Sequence, residues 1–267
     1  MPLLYILVFI LGLIFGSFIT AYSYRWPRGM SLNGRSKCDN CGWTIFWYDN
    51  IPLFSYLALK GRCRHCHKHI SLRYPLIEFS TGLIFLAIFN TYFSCLSGPT
   101  LQNIVCTFHN SLGIYALPFL FALNVALMAI LVIDLETQYI PDELTFFILL
   151  LSSVFVFIFS ENLYLIFFVA IAGSLFFLFS HFITRGKGMG LGDVKLALAG
   201  GVFFGWPALI AWFYCSFLLG AFIGILLIIF GKAKFRKPIA FGPFLVLAWF
   251  ITLFWGDKLV SFLLPIL

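Results

Sequence analysis

Two aspartates stand at the ends of strongly apolar segments in a chain that otherwise keeps acids out of its hydrophobic stretches. Asp134 ends the run from Leu127 to Asp134, and Asp193 lies in Gly188-Met189-Gly190-Leu191-Gly192-Asp193-Val194-Lys195. A carboxylate near hydrocarbon is costly, so one that is kept there usually serves function. Two such carboxyls held together can share one proton and activate water, the arrangement of aspartic proteases. The pair therefore points to acid/base chemistry inside a membrane.

One of these two acids also has a plainer reading. Gly192-Asp193 before an apolar run resembles a helix N-cap, where Asp accepts backbone N–H bonds. Asp142, in Ile140-Pro141-Asp142-Glu143, has the chemistry of a helix start, with Pro and two acids complementing the macrodipole. The glycines before Asp193 do not make a phosphate loop, since no strand precedes them and no Gly-Lys-Ser/Thr follows.

A second constellation is made of cysteines. Cys38-x-x-Cys41 and Cys63-x-x-Cys66 have zinc-ribbon spacing, with each pair forming a tight knuckle and four thiolates closing a tetrahedral site. Zinc there would be structural, because a loop of about 50 residues has too little core to fold unaided. His65, His67 and His69 beside the second pair read as surface residues. The loop's aromatic and apolar positions, among them Trp43, Trp47, Phe54 and Leu57, would pack around the site and onto the membrane surface. Cys95 and Cys106 share an outer loop where oxidising conditions would allow a disulfide. Cys215 reads as packing within a helix.

The elements that must position these residues are membrane helices. The chain of 267 residues is 62% hydrophobic and only 10% charged, more apolar surface than a soluble domain of that size needs. A spanning helix takes about 20 apolar residues. Candidates lie near 3–22, 76–93, 113–133, 144–159, 163–183, 194–205, 208–230 and 240–256, which predicts an all-α polytopic protein of about eight transmembrane helices. Segment 3–22 lacks the basic region and small-residue cleavage site of a signal peptide and reads as a retained helix. The predicted organisation is a first helix (1–22), a Cys-rich cytoplasmic loop (23–75) and a multi-helix membrane domain (76–267).

Charge supports that map. With the N-terminus outside, loops 23–75, 134–143, 184–193 and 231–239, together with Lys195, hold every Lys and Arg except Lys258. The positive-inside rule makes their side cytoplasmic. The formal net charge of +7 therefore needs no nucleic-acid partner. The sixth segment is too short to cross a core of about 30 Å, and Trp206-Pro207 after it reads as a turn. Asp193 would then lie below the cytoplasmic surface, reached through a water-filled recess.

At this point the residues resemble a known family. Gly190-x-Gly192-Asp193, with Asp134 and Pro141-Asp142 separated by six residues, is similar to the type IV prepilin peptidases, which are GxGD intramembrane aspartic proteases. The likeness extends through Gly16-Ser17-Phe18, the two Cys pairs, Asn50-Ile51-Pro52-Leu53-x-Ser55-Tyr56-Leu57, Arg73-Tyr74-Pro75-Leu76-x-Glu78 and Phe241-Gly242-Pro243. It implies a multi-pass protein of the bacterial inner membrane whose active site faces the cytoplasm. It also implies catalytic Asp134 and Asp193, with Gly190, Gly192, Pro141 and Asp142 in support. The substrates implied are type IV prepilins and pseudopilins, cleaved after the Gly that ends a basic leader.

Many members then methylate the new N-terminus with S-adenosylmethionine, an activity associated with the Cys-rich loop, and Glu78 would serve there or pair with Arg73. This chain has Thr20 and Tyr24 where many members carry Asn and His, so a peptidase without methyl transfer stands as an alternative. No soluble-type glycine-rich methyltransferase motif marks the cofactor site. A transporter or channel is a further alternative, but no internal repeat is visible and the acids cluster on one side. A zinc-ribbon scaffold would leave Asp193 unexplained.

Overall fold

The computed structural model describes residues 2–97, 103–186, 188–231 and 240–264. Lys187 and the basic stretch 232–239, both part of the charge argument, lie outside the described residues. The described chain is helical, with two isolated β-bridges and no strand. Ten α-helices follow in order: α1 (Pro2–Arg25), α2 (Phe54–Ala58), α3 (Arg73–Ser97), α4 (Ile104–Leu112), α5 (Ala116–Thr137), α6 (Asp142–Phe159), α7 (Leu163–Ile183), α8 (Leu191–Phe204), α9 (Ala208–Ile229) and α10 (Gly242–Leu263). Seven segments among them are long and apolar enough to cross a membrane, with α4 and α5 counted as one. The short α8 is the sixth apolar segment of the sequence map and brings the total to eight.

Two differences from the sequence reading matter. The third apolar segment is preceded by α4, a separate short helix whose N-cap Asn103 accepts the Cys106 N–H. The same segment also runs on to Thr137, so Asp134 lies in the last turn of α5 rather than beyond it. Gln138, in the left-handed region at φ 54°, closes that turn by donating its N–H to the Asp134 carbonyl.

The chain divides into two compact units, Met1–Asn90 with Leu120–Ala129, and Thr91–Phe119 with Ile130–Leu267. In the first unit α1 and α3 approach closely at small residues. A Cβ on Gly12 would stand 2.7 Å from the Gly82 Cα, and one on Gly16 would stand 2.6 Å from the Glu78 Cα. Without a hydrophobic drive between helices in lipid, such close backbone packing is what holds spans together.

In the second unit α8 is enclosed. A Cβ on Gly201 would meet the Ala170 Cα of α7 at 2.6 Å. Val156 of α6, Ala170 and Val202 of α8 form one buried cluster. Trp212 of α9 donates its indole N–H to the Leu245 carbonyl of α10 at 2.9 Å. Nearly every residue of α8 from Leu196 onward is buried. At 14 residues α8 spans about 21 Å. Burial of its residues from Leu196 onward against α6, α7, α9 and α10 lets so short a helix sit inside a bilayer.

Candidate active site

Asp193 sits at the third position of α8, not at its cap. Gly190 is the N-cap, in extended conformation, and its N–H donates to Asp193 Oδ2 at 2.9 Å. This is the carboxylate half of a capping box, and it aims the side chain back along the first turn. Gly192 is required sterically, since a Cβ there would stand 2.8 Å from the Cβ of Ile140.

Asp134 reaches the same place from α5. It is 4% exposed and Asp193 is 5% exposed. The Gly242 N–H at the start of α10 donates toward the Asp134 carboxyl, while Asp134 Oδ2 has no hydrogen-bond partner. The two carboxyls are near enough to repel each other when both are charged. Ile140 separates the elements around them, touching the positions of both Gly192 and Gly242. Two buried carboxyls, one with an unpartnered oxygen, on helices held by packing can each take and return a proton.

Pro141 caps α6, and Asp142 is its first residue. The Asp142 carboxylate faces outward and bonds Lys195 Nζ at 2.6 Å, with both side chains more than half exposed. This pair ties the start of α6 to the first turn of α8, two residues from Asp193. Asp142 therefore braces the Asp193 turn from outside, and of these three acids only Asp134 and Asp193 are buried.

The four loop cysteines also converge, with their sulfurs all within 4.8 Å of one another. The two knuckles repeat each other. Gly42 N–H donates to the Cys38 carbonyl and His67 N–H to the Cys63 carbonyl. Gly42 and His67 both have positive φ, and the bridges Lys37–Thr44 and Arg62–His69 close the two turns. Zinc–sulfur bonds of about 2.3 Å in a tetrahedron place sulfurs about 3.8 Å apart, and Cys38 and Cys66 stand at 3.8 Å. The Lys68 backbone N–H leads the interactions that pull the Cys66 thiol down to about 6, while Cys41, against the pull of the Trp43 backbone N–H, is pushed up to about 11 by burial and by Cys38 and Cys66. The donor set fits zinc. His65 stacks on Trp43 at 4.4 Å, and no histidine joins the sulfur cluster. Trp47, Phe54 and Leu57 are strongly exposed rather than packed around the sulfurs.

Two family models match the chain. Bacterial Peptidase A24 N-terminal domain covers residues 10–92, and Type IV leader peptidase family covers residues 119–225, a span that holds both aspartates. A prepilin leader peptidase/N-methyltransferase of Aeromonas hydrophila is 33% identical over 99% of this chain and 95% of the relative. Proteins of the same name from Burkholderia pseudomallei and Pseudomonas aeruginosa are 33% and 32% identical, covering 92% and 97% of this chain and 84% and 93% of their own lengths. The chain belongs to the type IV leader peptidase family. It is thus an enzyme of an aspartic-protease family, embedded in a bacterial membrane by several spans. No solved structure matches it.

The remaining family motifs gather in the first unit. Glu78 is buried and accepts the Leu53 N–H at 2.7 Å and a bond from Ser17. Leu53 holds φ 60° to make that contact, a conformation uncommon for a residue with a side chain. Arg73 donates to Ser23 Oγ at 2.7 Å. Thr20, one of the two departures from the family pattern, turns its hydroxyl back to the Ser17 carbonyl. The other, Tyr24, lies under the Arg28 guanidinium. In the second unit Cys95 and Cys106 are joined as a disulfide.

Sequence reasoning missed Ile140 and the role of Gly242. The signal for Gly242 was a glycine before Pro243 at the head of an apolar run. Ile140 carried none, since an isoleucine before a proline is unremarkable until the fold brings two glycines onto it.

Proposed function

We propose that this enzyme removes the basic leader from type IV prepilins and pseudopilins, cutting after the Gly that ends the leader at the cytoplasmic face of the inner membrane. The observation that supports this is the burial of two carboxyls, Asp134 and Asp193, carried by separate helices and near enough to feel each other's charge. In the reaction one carboxylate takes a proton from water, whose oxygen attacks the carbonyl of the leader's last Gly. The other, protonated, carboxyl gives its proton to the carbonyl oxygen. Collapse of the resulting gem-diol breaks the C–N bond. The amine leaves with a proton from the first carboxyl, and the second recovers its own from the diol.

The same chain then methylates the new N-terminus with S-adenosylmethionine, a reading supported by the names of its relatives. Zinc on Cys38, Cys41, Cys63 and Cys66 would hold the loop's fold. One observation favours a peptidase without methyl transfer, namely that Thr20 spends its hydroxyl on the Ser17 carbonyl of its own helix. The test for both is incubation of the purified membrane enzyme with a prepilin and S-adenosylmethionine. The mass of the product's N-terminus reports cleavage, and one added methyl group reports transfer.

A further inference from the structure

We infer that His181 is a positioning residue for Asp193, acting through the peptide bond between Met189 and Gly190. The inference rests on the proposed role of Asp193. His181 lies in the last turn of α7, and the chain after it reverses through Arg185 and Gly186, both at positive φ. It folds back over the histidine so closely that a Cβ on Gly186 would stand 3.2 Å from Cε1 of His181. His181 Nδ1 then lies 2.7 Å from the Met189 carbonyl oxygen. A carbonyl only accepts, so Nδ1 carries the hydrogen.

That carbonyl belongs to the same planar peptide unit as the Gly190 N–H, which holds Asp193 Oδ2 at 2.9 Å. The unit is rigid. It is gripped at one end by an imidazole and presents its other end to the buried carboxylate. Rotation of this plane would swing the donor off Asp193, and the histidine blocks that rotation. A donor on the C=O also polarises the amide and strengthens its N–H as a donor. Buried Met189, 7% exposed, keeps water from competing for the carbonyl. Neither the GxGD tetrad nor the dyad itself accounts for this histidine.

The experiment compares His181→Asn, His181→Leu and His181→Gln with the parent enzyme, measuring kcat and KM for prepilin cleavage and the thermal midpoint of each protein. Asn carries its amide nitrogen on Cγ, as histidine carries Nδ1, and so can restore the bond. Gln places its nitrogen one carbon farther and cannot match Nδ1. Leu and Gln should lower kcat by about 10- to 100-fold at unchanged KM, with Asn close to the parent. Should Leu fail to accumulate in the membrane, the Asn and Gln pair decides alone. Parent-like kcat in the Leu or Gln variant, or equal loss in Asn and Gln, would overturn the inference. Asp193→Asn runs alongside: if it is inactive, those outcomes bear on His181 alone, and if it cleaves, the dyad reading falls and this inference with it.

Discussion

Gly242 lies against the carboxyl of Asp134, so that a Cβ at position 242 would stand 2.5 Å from Oδ2. Here a backbone, not a side chain, forms one wall of the acid site, and its amide points at the acid it touches. Gly242→Ala should therefore displace Asp134 or α10 and cost about 100-fold or more in kcat, the scale of a small misplacement at a reacting group. Steady-state cleavage by a variant with an unchanged thermal midpoint checks it. Activity equal to the parent would mean that the wall yields freely.

Asp134→Ala and Asp193→Ala should each reduce cleavage by about 10⁴-fold or more, since members of a catalytic unit fail singly. Asp142→Ala should keep most activity, because it loses only an exposed ion pair worth about 1 kcal/mol or less. The three purified variants, assayed on one prepilin, separate these cases. An inactive Asp142→Ala beside an active Asp134→Ala would reassign the dyad.

Metal analysis of the purified protein should find about one zinc per chain, as one set of four thiolates holds one ion. The ion should vanish in Cys63→Ser/Cys66→Ser, which removes half the ligands. A protein free of metal, or a disulfide among Cys38, Cys41, Cys63 and Cys66, would contradict the site.

Loss of that zinc should impair methyl transfer more than cleavage. The loop's turns depend on the metal, while α8 and the ends of α5 and α10 are held by helix packing. Cleaved and methylated products of Cys63→Ser/Cys66→Ser, quantified by mass against the parent, provide the comparison. Equal loss of both products would mean that the loop supports the peptidase site.

Much of this protein was legible before any fold was known, and for one reason: the legible features are local. Apolar runs long enough to span a bilayer announce α1, α3, α5, α6, α7, α9 and α10 through transfer energy alone. The Cys38–Cys41 and Cys63–Cys66 knuckles follow from ligand spacing within a few residues. Asp134 and Asp193 stood out because a carboxyl is expensive where each of them sits.

What the sequence could not carry was contact between distant residues and the choice among local helix-end alternatives. Asp193 could have been a cap, and only the packing of Gly192 on Ile140 shows why its carboxyl turns inward at the third position of α8. Asp142 and Asp193 looked alike as acids at helix starts. The fold separates them by giving Asp142 a solvent-exposed lysine and Asp193 a buried place against the Gly190 amide. α4 went unseen because its few residues carry too short an apolar period to distinguish a helix from a loop. His181 acquires its role from a chain reversal at Arg185 and Gly186 that its own segment does not announce. Gly242 acquires its role from a helix far from it in the chain, and such meetings are set by the shapes of packed surfaces, which no single segment contains.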